Sequence, residues 1–202
     1  MPLHGTCYSR MTPHFTDTRH MHRETLLQLL TDYRTPYIEE AAMVQRSRHF
    51  IEQHSNCFDR QLMPGHVSGS AWVVNSRHTH VLMMHHRKLN LWLHPGGHAD
   101  NDPDILNVVL KECAEESGIA AEHIQLVSET IFDVDVHTVY ASVHDPRHEH
   151  FDIRFLVEID DRLSVPGNDE SHEIGWIALD EVMRFNNARS VHRLVQKTRR
   201  LL

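Results

Sequence analysis

The chain has few cysteines and no long apolar run, and each shortage excludes a class of protein. Its three cysteines, Cys7, Cys57 and Cys113, are too few and too scattered for a disulfide framework or a zinc ribbon. No apolar run approaches the roughly 18 residues that span a bilayer, and the first 20 residues lack the apolar segment of a secretory signal. We therefore expect a cytoplasmic protein with no membrane partner.

Positive charge is also scarce. Lys and Arg total 20 against 28 Asp and Glu, which gives a net charge of −8 with histidine neutral. Nucleic acids and anionic membranes bind basic surfaces, so we expect no nucleic-acid polymer as a partner. A small anionic substrate stays compatible with this charge, because a bound metal ion reverses the local charge of a site.

Histidine, by contrast, is abundant. The chain has 20 histidines, as many as its lysines and arginines together. One hypothesis is therefore a histidine-rich metal-binding protein, which would bind Zn²⁺ or Ni²⁺ independently of the acidic residues.

The periodicity of apolar residues predicts an α/β protein with an N-terminal helical extension. We expect a flexible arm over residues 1–22, helices within 23–64, and one domain over 65–202 that includes a C-terminal helix. The segments predicted as strands are short apolar runs bounded by polar residues: 70–74, 81–84, 124–127, 131–143, 151–159 and 173–178.

One helix is predicted between a Pro95-Gly96-Gly97 turn and Gly118. Asn101 or Asp102 can cap its start, and Pro103 suits the first helical position. Gly118 suits the left-handed position that ends a helix.

Three glutamates of this helix form a pattern that indicates a chemical function. Glu112, Glu115 and Glu116 fall at positions i, i+3 and i+4, so their side chains share one face. Like charges in this arrangement repel, and a hard divalent cation such as Mg²⁺ or Mn²⁺ would convert the repulsion into ligation. The alternative is a plain solvated acidic face.

The run resembles the signature of the Nudix hydrolases, G-x5-E-x7-R-E-U-x-E-E-x-G-U, where U is aliphatic. The matching residues keep the full spacing without a gap: Gly97, Glu112, Cys113, Glu115, Glu116, Gly118 and Ile119. Pro103 departs from the usual glutamate and Lys111 from the usual arginine, which are taken to pair with each other in a supporting role.

The resemblance implies more about the rest of the chain. It implies a Nudix-type α/β/α sandwich with a mixed sheet, and the E-x-x-W segment from Glu173 to Trp176 fits the strand after the signature. The phrase His94-Pro95-Gly96-Gly97-His98 is similar to a bacterial branch of the family with poorly defined substrates.

For function, the resemblance implies metal-dependent hydrolysis of a diphosphate linkage in a nucleoside diphosphate joined to another group. Glu112, Glu115 and Glu116, with the carbonyl of Gly97, are then the expected ligands of Mg²⁺ or Mn²⁺. The glutamates are also the expected catalytic residues.

Several further side chains are candidates for the same site. Glu173, or Glu170 beside it, is a candidate general base. Arg87 and Lys88 follow a predicted strand and could bind phosphate. Arg154 interrupts an apolar run, so it faces either the substrate or a buried acid.

A second metal site is also a hypothesis. His148 and His150 alternate along a predicted strand and share a face. If that strand borders the glycine turn, His98 could join them in a site for a transition metal. The alternative is a set of hydrogen-bonded histidines that support the loop.

One further alternative for function remains open alongside the metal-binding protein. The Pro103 and Lys111 departures are compatible with a catalytically weak Nudix module that binds a nucleotide for regulation. The N-terminal helices could pack on the domain, cover the cleft or form a homodimer contact. Substrate identity is not encoded in any motif of the chain.

Overall fold

The structure is a computed structural model that describes residues 18–141 and 146–202. The α-helices are α1 (Thr18–Asp32), α2 (Ile38–Gln53), α3 (Ile105–Ser117), α4 (Val182–Phe185) and α5 (Arg189–Arg199). The strands are β1 (Gly65–Val74), β2 (His80–His86), β3 (Leu91–Leu93), β4 (Gly96–His98), β5 (Gln125–Leu126), β6 (Asp133–Val139), β7 (His148–Glu158) and β8 (Ser171–Ala178). Among the described helices, none has the length and apolar character needed to cross a membrane.

The described strands form one mixed sheet with β1 near its centre. β1 runs parallel to β7 and antiparallel to β2 and β4. The parallel pair aligns along its whole length, from Gly65 opposite Glu149 to Val74 opposite Glu158. β6 and β5 pair with β7, and β3 and β8 pair with β2.

Side chains of β1 alternate between two cores on opposite faces of the sheet. Ala71 lies in the larger core together with Val109 of α3. Trp72, the next residue, lies in a second core with Leu194 of α5. Because successive strand residues point to opposite faces, α3 and α5 cover opposite sides of the sheet. The predicted α/β/α sandwich with a mixed sheet is confirmed.

The two N-terminal helices pack on the same sheet, which is the first of their three expected arrangements. Leu26 and Leu30 of α1 are buried in the larger core, and the ring of Phe50 in α2 stacks on Phe151 of β7 with centroids 4.0 Å apart. The predicted helical extension is confirmed, although α1 begins at Thr18 and not at residue 23. The rest of the predicted arm, residues 1–17, lies outside the described residues.

Four strands start earlier than predicted, because polar or glycine residues precede their apolar runs; β2 and β8 start one and two residues early, and the other two differ more. β1 begins at Gly65, whereas the apolar run began at Ser70, and β7 begins at His148, whereas the apolar run began at Phe151. β3 and β4 were not predicted, since three-residue strands show no periodicity. The predicted strand 131–143 is shorter in the structure, and its residues 142–143 lie outside the described part.

Candidate active site

The ends of α3 fix the position of the three glutamates. Its N-cap is Asp104, whose carboxylate accepts a backbone N–H from the first turn at 3.2 Å. The expected caps, Asn101 and Asp102, lie three and two residues too early, and Pro103 precedes the helix instead of taking its first position. Asp102 instead accepts the N–H of Asp104 at 2.9 Å. Gly118 ends the helix with φ 69°, as predicted.

The three glutamates lie in different surroundings. Glu116 is buried, with 5% of its surface exposed, and its Oε2 accepts the backbone N–H of Gly96 at 2.8 Å. Glu112 is half-buried. Glu115 is exposed and lies 3.8 Å from the ammonium of Lys111. The helix therefore aims one carboxylate at the glycine turn, holds a second at its edge and leaves the third in solvent.

Burial and mutual repulsion raise the pKa values of the two inner carboxyls. Burial, together with the charges of Glu112 and Glu170, raises the pKa of Glu116 to about 8, against a smaller lowering by the Gly96 N–H. Burial also raises the pKa of Glu112, assisted by the charge of Glu115. A divalent cation would relieve both the desolvation and the repulsion, so the donor chemistry fits Mg²⁺ or Mn²⁺.

Gly97 brings the backbone into direct contact with the glutamate site. It lies on β4 opposite Gly69 of β1. A Cβ atom at Gly97 would stand 2.5 Å from the carboxylate of Glu112, closer than real Cβ contacts allow. Glycine therefore lets the Glu112 carboxylate lie against the backbone, and a larger residue would displace this flexible side-chain end.

Replacing Gly97 with Ala should lower kcat/KM about 10- to 100-fold, because the added methyl displaces the Glu112 carboxylate from its position. Gly175→Ala is the matched control, since a Cβ there meets nothing within 4 Å and should leave the rate near that of the wild type. Equal rates for the two variants would show that the position of the Glu112 carboxylate does not affect catalysis.

The structure does not bring the three glutamate carboxylates into one group. Among the described residues, only four histidines bring three or more ligand atoms within 4.8 Å of one another. Glu115 extends into solvent beside Lys111, so sharing one ion with Glu112 and Glu116 requires its side chain to turn toward them.

The candidate general bases lie on β8 and the loop before it. Glu170 is exposed, and its negative charge raises the pKa values of Glu112 and Glu116. Glu173 is exposed on β8 opposite His85. Of these two, Glu170 is the one whose charge reaches the inner glutamates.

Arg87 positions the loop that carries Glu170. Its backbone N–H donates to the Glu170 carbonyl at 2.8 Å, and its guanidinium donates to the carbonyls of Asp169 and Ser171 at 3.0 and 2.8 Å. Lys88, its neighbour, is exposed beyond the end of β2. The guanidinium of Arg87 is thus committed to backbone carbonyls, which leaves Lys88 as the phosphate candidate of this pair.

Arg154 faces buried acids, the second of the two surroundings expected for it. It is 3% exposed, and its guanidinium pairs with Asp152 at 2.7 Å and with Asp133 and Asp135 at 3.2 Å. These pairs take all three guanidinium nitrogens, so Arg154 is placed as a structural residue and not as a substrate ligand.

The three histidines of the predicted second site do come together, and a fourth joins them. His98, His148 and His150 form one group with His66 of β1. His66 could not be placed in this group from sequence, because its neighbourhood depends on parallel pairing of β1 with β7, which places His66 opposite His150. The available signal was the alternation of His66 with Ser68 and further polar residues along a strand.

Comparison with known proteins agrees with the fold and the signature. A family model described as NUDIX domain matches residues 65–197. A search of curated proteins found no match. Three solved structures are similar to this chain at identities that show a shared fold alone.

The first is an Ap4A hydrolase binary complex from C. elegans, with 14% identity over 67% of this chain and 96% of that chain and a TM-score of 0.54. The second is the E. coli dihydroneopterin triphosphate pyrophosphohydrolase, with 14% identity over 65% and 92% and a TM-score of 0.53. The third is a NUDIX family hydrolase from Clostridium perfringens, with 20% identity over 68% and 98% and a TM-score of 0.50.

Proposed function

Since this chain belongs to the Nudix hydrolase family and is one of its pyrophosphohydrolases, we propose that it cleaves a diphosphate linkage in a nucleoside diphosphate joined to another group. We also propose that the reaction requires Mg²⁺ or Mn²⁺. The observation that supports this function best is Glu116, a buried carboxyl held against the Gly96 N–H beside Glu112. An ionised carboxyl in this position is costly unless a cation binds beside it.

The residues proposed to hold the ion are Glu112, Glu115 and Glu116, with the carbonyl of Gly97. The bound ion supplies Lewis-acid polarisation of the phosphate oxygens and a water of lowered pKa. The chain itself keeps the carboxylates in place through α3 and keeps the backbone close through Gly97. In the hydrolysis, water forms a new bond to one phosphorus, and the bond from that phosphorus to the bridging oxygen breaks.

A general base must accept a proton from the attacking water, and we propose Glu170 for this role. Glu170 is exposed to solvent, so a substrate or water can reach it, and its charge acts on both inner glutamates. The Arg87 bonds to carbonyls 169–171 hold its loop against β2. Glu173 remains the second candidate.

Replacing Glu170 with Gln should lower kcat about 10²- to 10⁴-fold, the range expected on removal of a general base. The acidic limb of the pH–rate profile should be lost with it, while KM changes little. Glu173→Gln, on the neighbouring strand, should keep both the rate and the profile. The opposite outcome, loss in Glu173→Gln alone, would transfer the role to Glu173.

The choice of substrates to test follows from the relatives' names. One similar structure is an Ap4A hydrolase and another acts on dihydroneopterin triphosphate. A panel should therefore contain dinucleoside polyphosphates, nucleoside triphosphates and nucleoside diphosphates joined to sugars or coenzymes. Chromatography with mass detection identifies which P–O bond breaks, and reaction in ¹⁸O-water identifies the phosphorus attacked.

Hydrolysis of at least one class, dependent on Mg²⁺ or Mn²⁺, is the expected result. Binding of a nucleotide without any product, with every metal ion tested, would contradict the proposal and support the regulatory-module hypothesis instead.

Lys88→Met should raise KM for the substrate found, because Lys88 is the exposed cation beside the Glu170 loop.

A further inference from the structure

We propose that His66, His98, His148 and His150 form a four-coordinate site for Zn²⁺ or a similar late transition-metal ion. Each residue offers one ring nitrogen, and these four atoms lie within 4.8 Å of one another. We call these residues the four-histidine cluster. The cluster is independent of the glutamate site and of the hydrolysis proposed for it.

The sheet brings the cluster together on the face turned away from α3. His66 and His150 are direct partners in the parallel pair of β1 and β7, and His148 is two residues before His150. His98 on β4 is opposite Ser68, two residues after His66. Since side chains two residues apart share a face, all four rings project to the same side of the sheet. Gly97 next to His98 contacts Glu112 on the other side.

The distances among the rings are those of groups placed around a common point. The centroid of His66 is 5.0, 4.9 and 4.9 Å from those of His98, His148 and His150. His150 is 5.0 Å from both His98 and His148. Five of the six ring pairs of this set are thus nearly equal in separation.

One nitrogen pair allows a direct test against coordination geometry. Nε2 of His148 and Nε2 of His150 are 3.1 Å apart. With Zn–N bonds of about 2.0–2.1 Å, two ligands of a tetrahedral site stand roughly 3.3–3.4 Å apart. A shift of a few tenths of an ångström therefore suffices for both nitrogens to share one ion.

His66 supplies an independent reason to expect a ligand. It is 2% exposed, and neither ring nitrogen makes a hydrogen bond of good geometry, although the backbone of Leu62 is close enough to act on its pKa. A buried polar group without a partner costs about 1–3 kcal/mol, so such groups are rare unless something binds them. A metal ion seated among the four rings gives one of these nitrogens its partner.

A surrounding hydrogen bond also orients one ligand. Nδ1 of His148 lies 2.8 Å from the carbonyl of Pro146, so Nδ1 carries the proton and Nε2 is left for the ion. Arg60 contacts Nδ1 of His98, but it is half-exposed and also pairs with Asp100 at 3.0 Å. Because Arg60 also pairs with Asp100, it keeps an ionic partner when His98 binds a metal ion.

The donor set determines which ion fits and what it does there. Imidazole nitrogens favour Zn²⁺ and other late transition metals over Mg²⁺ and Mn²⁺, which prefer oxygen. Four protein ligands close a tetrahedral site, which is typical of structural zinc. The ion would tie β1, β4 and β7 together at the end of the strand that carries Gly96 and Gly97.

Metal binding to the full chain tests the proposal. After treatment with chelator, the protein is titrated with Zn²⁺ in competition with a chromophoric chelator, and separately with Co²⁺. We expect one tight Zn²⁺ site, strong visible Co²⁺ absorption of a four-coordinate complex, and a rise in Tm with Zn²⁺ that Glu116→Gln retains. Weak absorption of a six-coordinate Co²⁺ complex in the wild type would overturn the proposal without any variant.

Variants separate the cluster from the other histidines. His66→Gln and His148→Gln should each weaken Zn²⁺ binding at least about 100-fold. His123→Gln and His192→Gln, which alter exposed histidines outside the cluster, should bind as the wild type does. Glu116→Gln should keep the Zn²⁺ site whole. If the cluster variants and the control variants bind Zn²⁺ with equal affinity, or if both groups lose Zn²⁺ binding, the ion binds only at the surface and the proposal is refuted. His148 is at the start of β7, so His148→Gln is the variant to test if His66→Gln does not fold.

Discussion

Replacing Glu116 with Gln is expected to lower the rate of hydrolysis about 100- to 1,000-fold, the usual loss on removing one group that stabilises transition-state charge. Glutamine has the same size, and its Oε1 can still accept the Gly96 N–H that now donates to the Glu116 carboxylate. The variant therefore removes the charge and keeps the packing. Rates at saturating Mg²⁺ and Mn²⁺ measure the effect.

The same variant should be more stable than the wild type once metal is removed. The raised pKa of Glu116, about 8, means that its folded state favours the protonated carboxyl. The unfolded carboxyl ionises near its usual pKa of about 4.3, so metal-free wild type loses stability as pH rises from there towards about 8. Urea titrations in chelator should show the advantage of Glu116→Gln growing between pH 5 and pH 8.

This pairing of effects distinguishes a catalytic role from a structural one. A merely structural glutamate would lose stability and activity together on substitution. Glu122→Gln, an exposed glutamate on the turn after α3, is the matched control and should change neither quantity. If Glu116→Gln stays as active as that control, Glu116 is not a metal ligand.

Replacing Arg154 with Met is expected to destabilise the fold by about 3–5 kcal/mol, because it leaves the buried carboxylate of Asp152 without its cationic partner, whereas Asp133 and Asp135 still pair with Arg193. The guanidinium lies within 3.2 Å of Asp133, Asp135 and Asp152, and it is 3% exposed. The midpoint of urea unfolding at pH 7 measures the loss. Arg162→Met, which breaks an exposed pair with Asp160, is the control and should leave the midpoint unchanged.

The sign of the pH effect follows from the same ion pairs. Burial alone would raise the pKa of Asp152, yet the Arg154 guanidinium outweighs it, and the pKa is held below its usual value. The pair therefore contributes stability above a pH of about 3.9, and this contribution is lost as pH falls through the lowered pKa. A variant that keeps full stability but raises KM would instead place Arg154 against the substrate.

The glutamate helix could be predicted from sequence because all of its signals are local. Glu112, Glu115 and Glu116 lie within one turn and a half of α3, and their spacing alone puts them on one face. Gly118 marks the end of the helix by its own conformational freedom. Even the close approach at Gly97 is suggested by a double glycine, although only the structure identifies Glu112 as its neighbour.

The polar face of the sheet could not be predicted, because its partners come from distant strands. In β6, Val134 and Val136 suggested a strand with one buried face. Asp133 and Asp135 are buried too, since Arg154 of β7 and Arg193 of α5 neutralise them. A charged residue on a strand gives no sign of whether water or an opposite charge will face it.

The dependence of hydrolysis on divalent cation tests the central claim most directly. Wild type stripped of metal should give no product from the substrate identified in the panel, and added Mg²⁺ or Mn²⁺ should restore the rate along a saturable curve. Glu116→Gln, measured in parallel, should need far more metal or remain inactive at every concentration. Turnover by the stripped protein at the full rate, in the presence of chelator, would contradict the assignment of a cation to Glu112, Glu115 and Glu116.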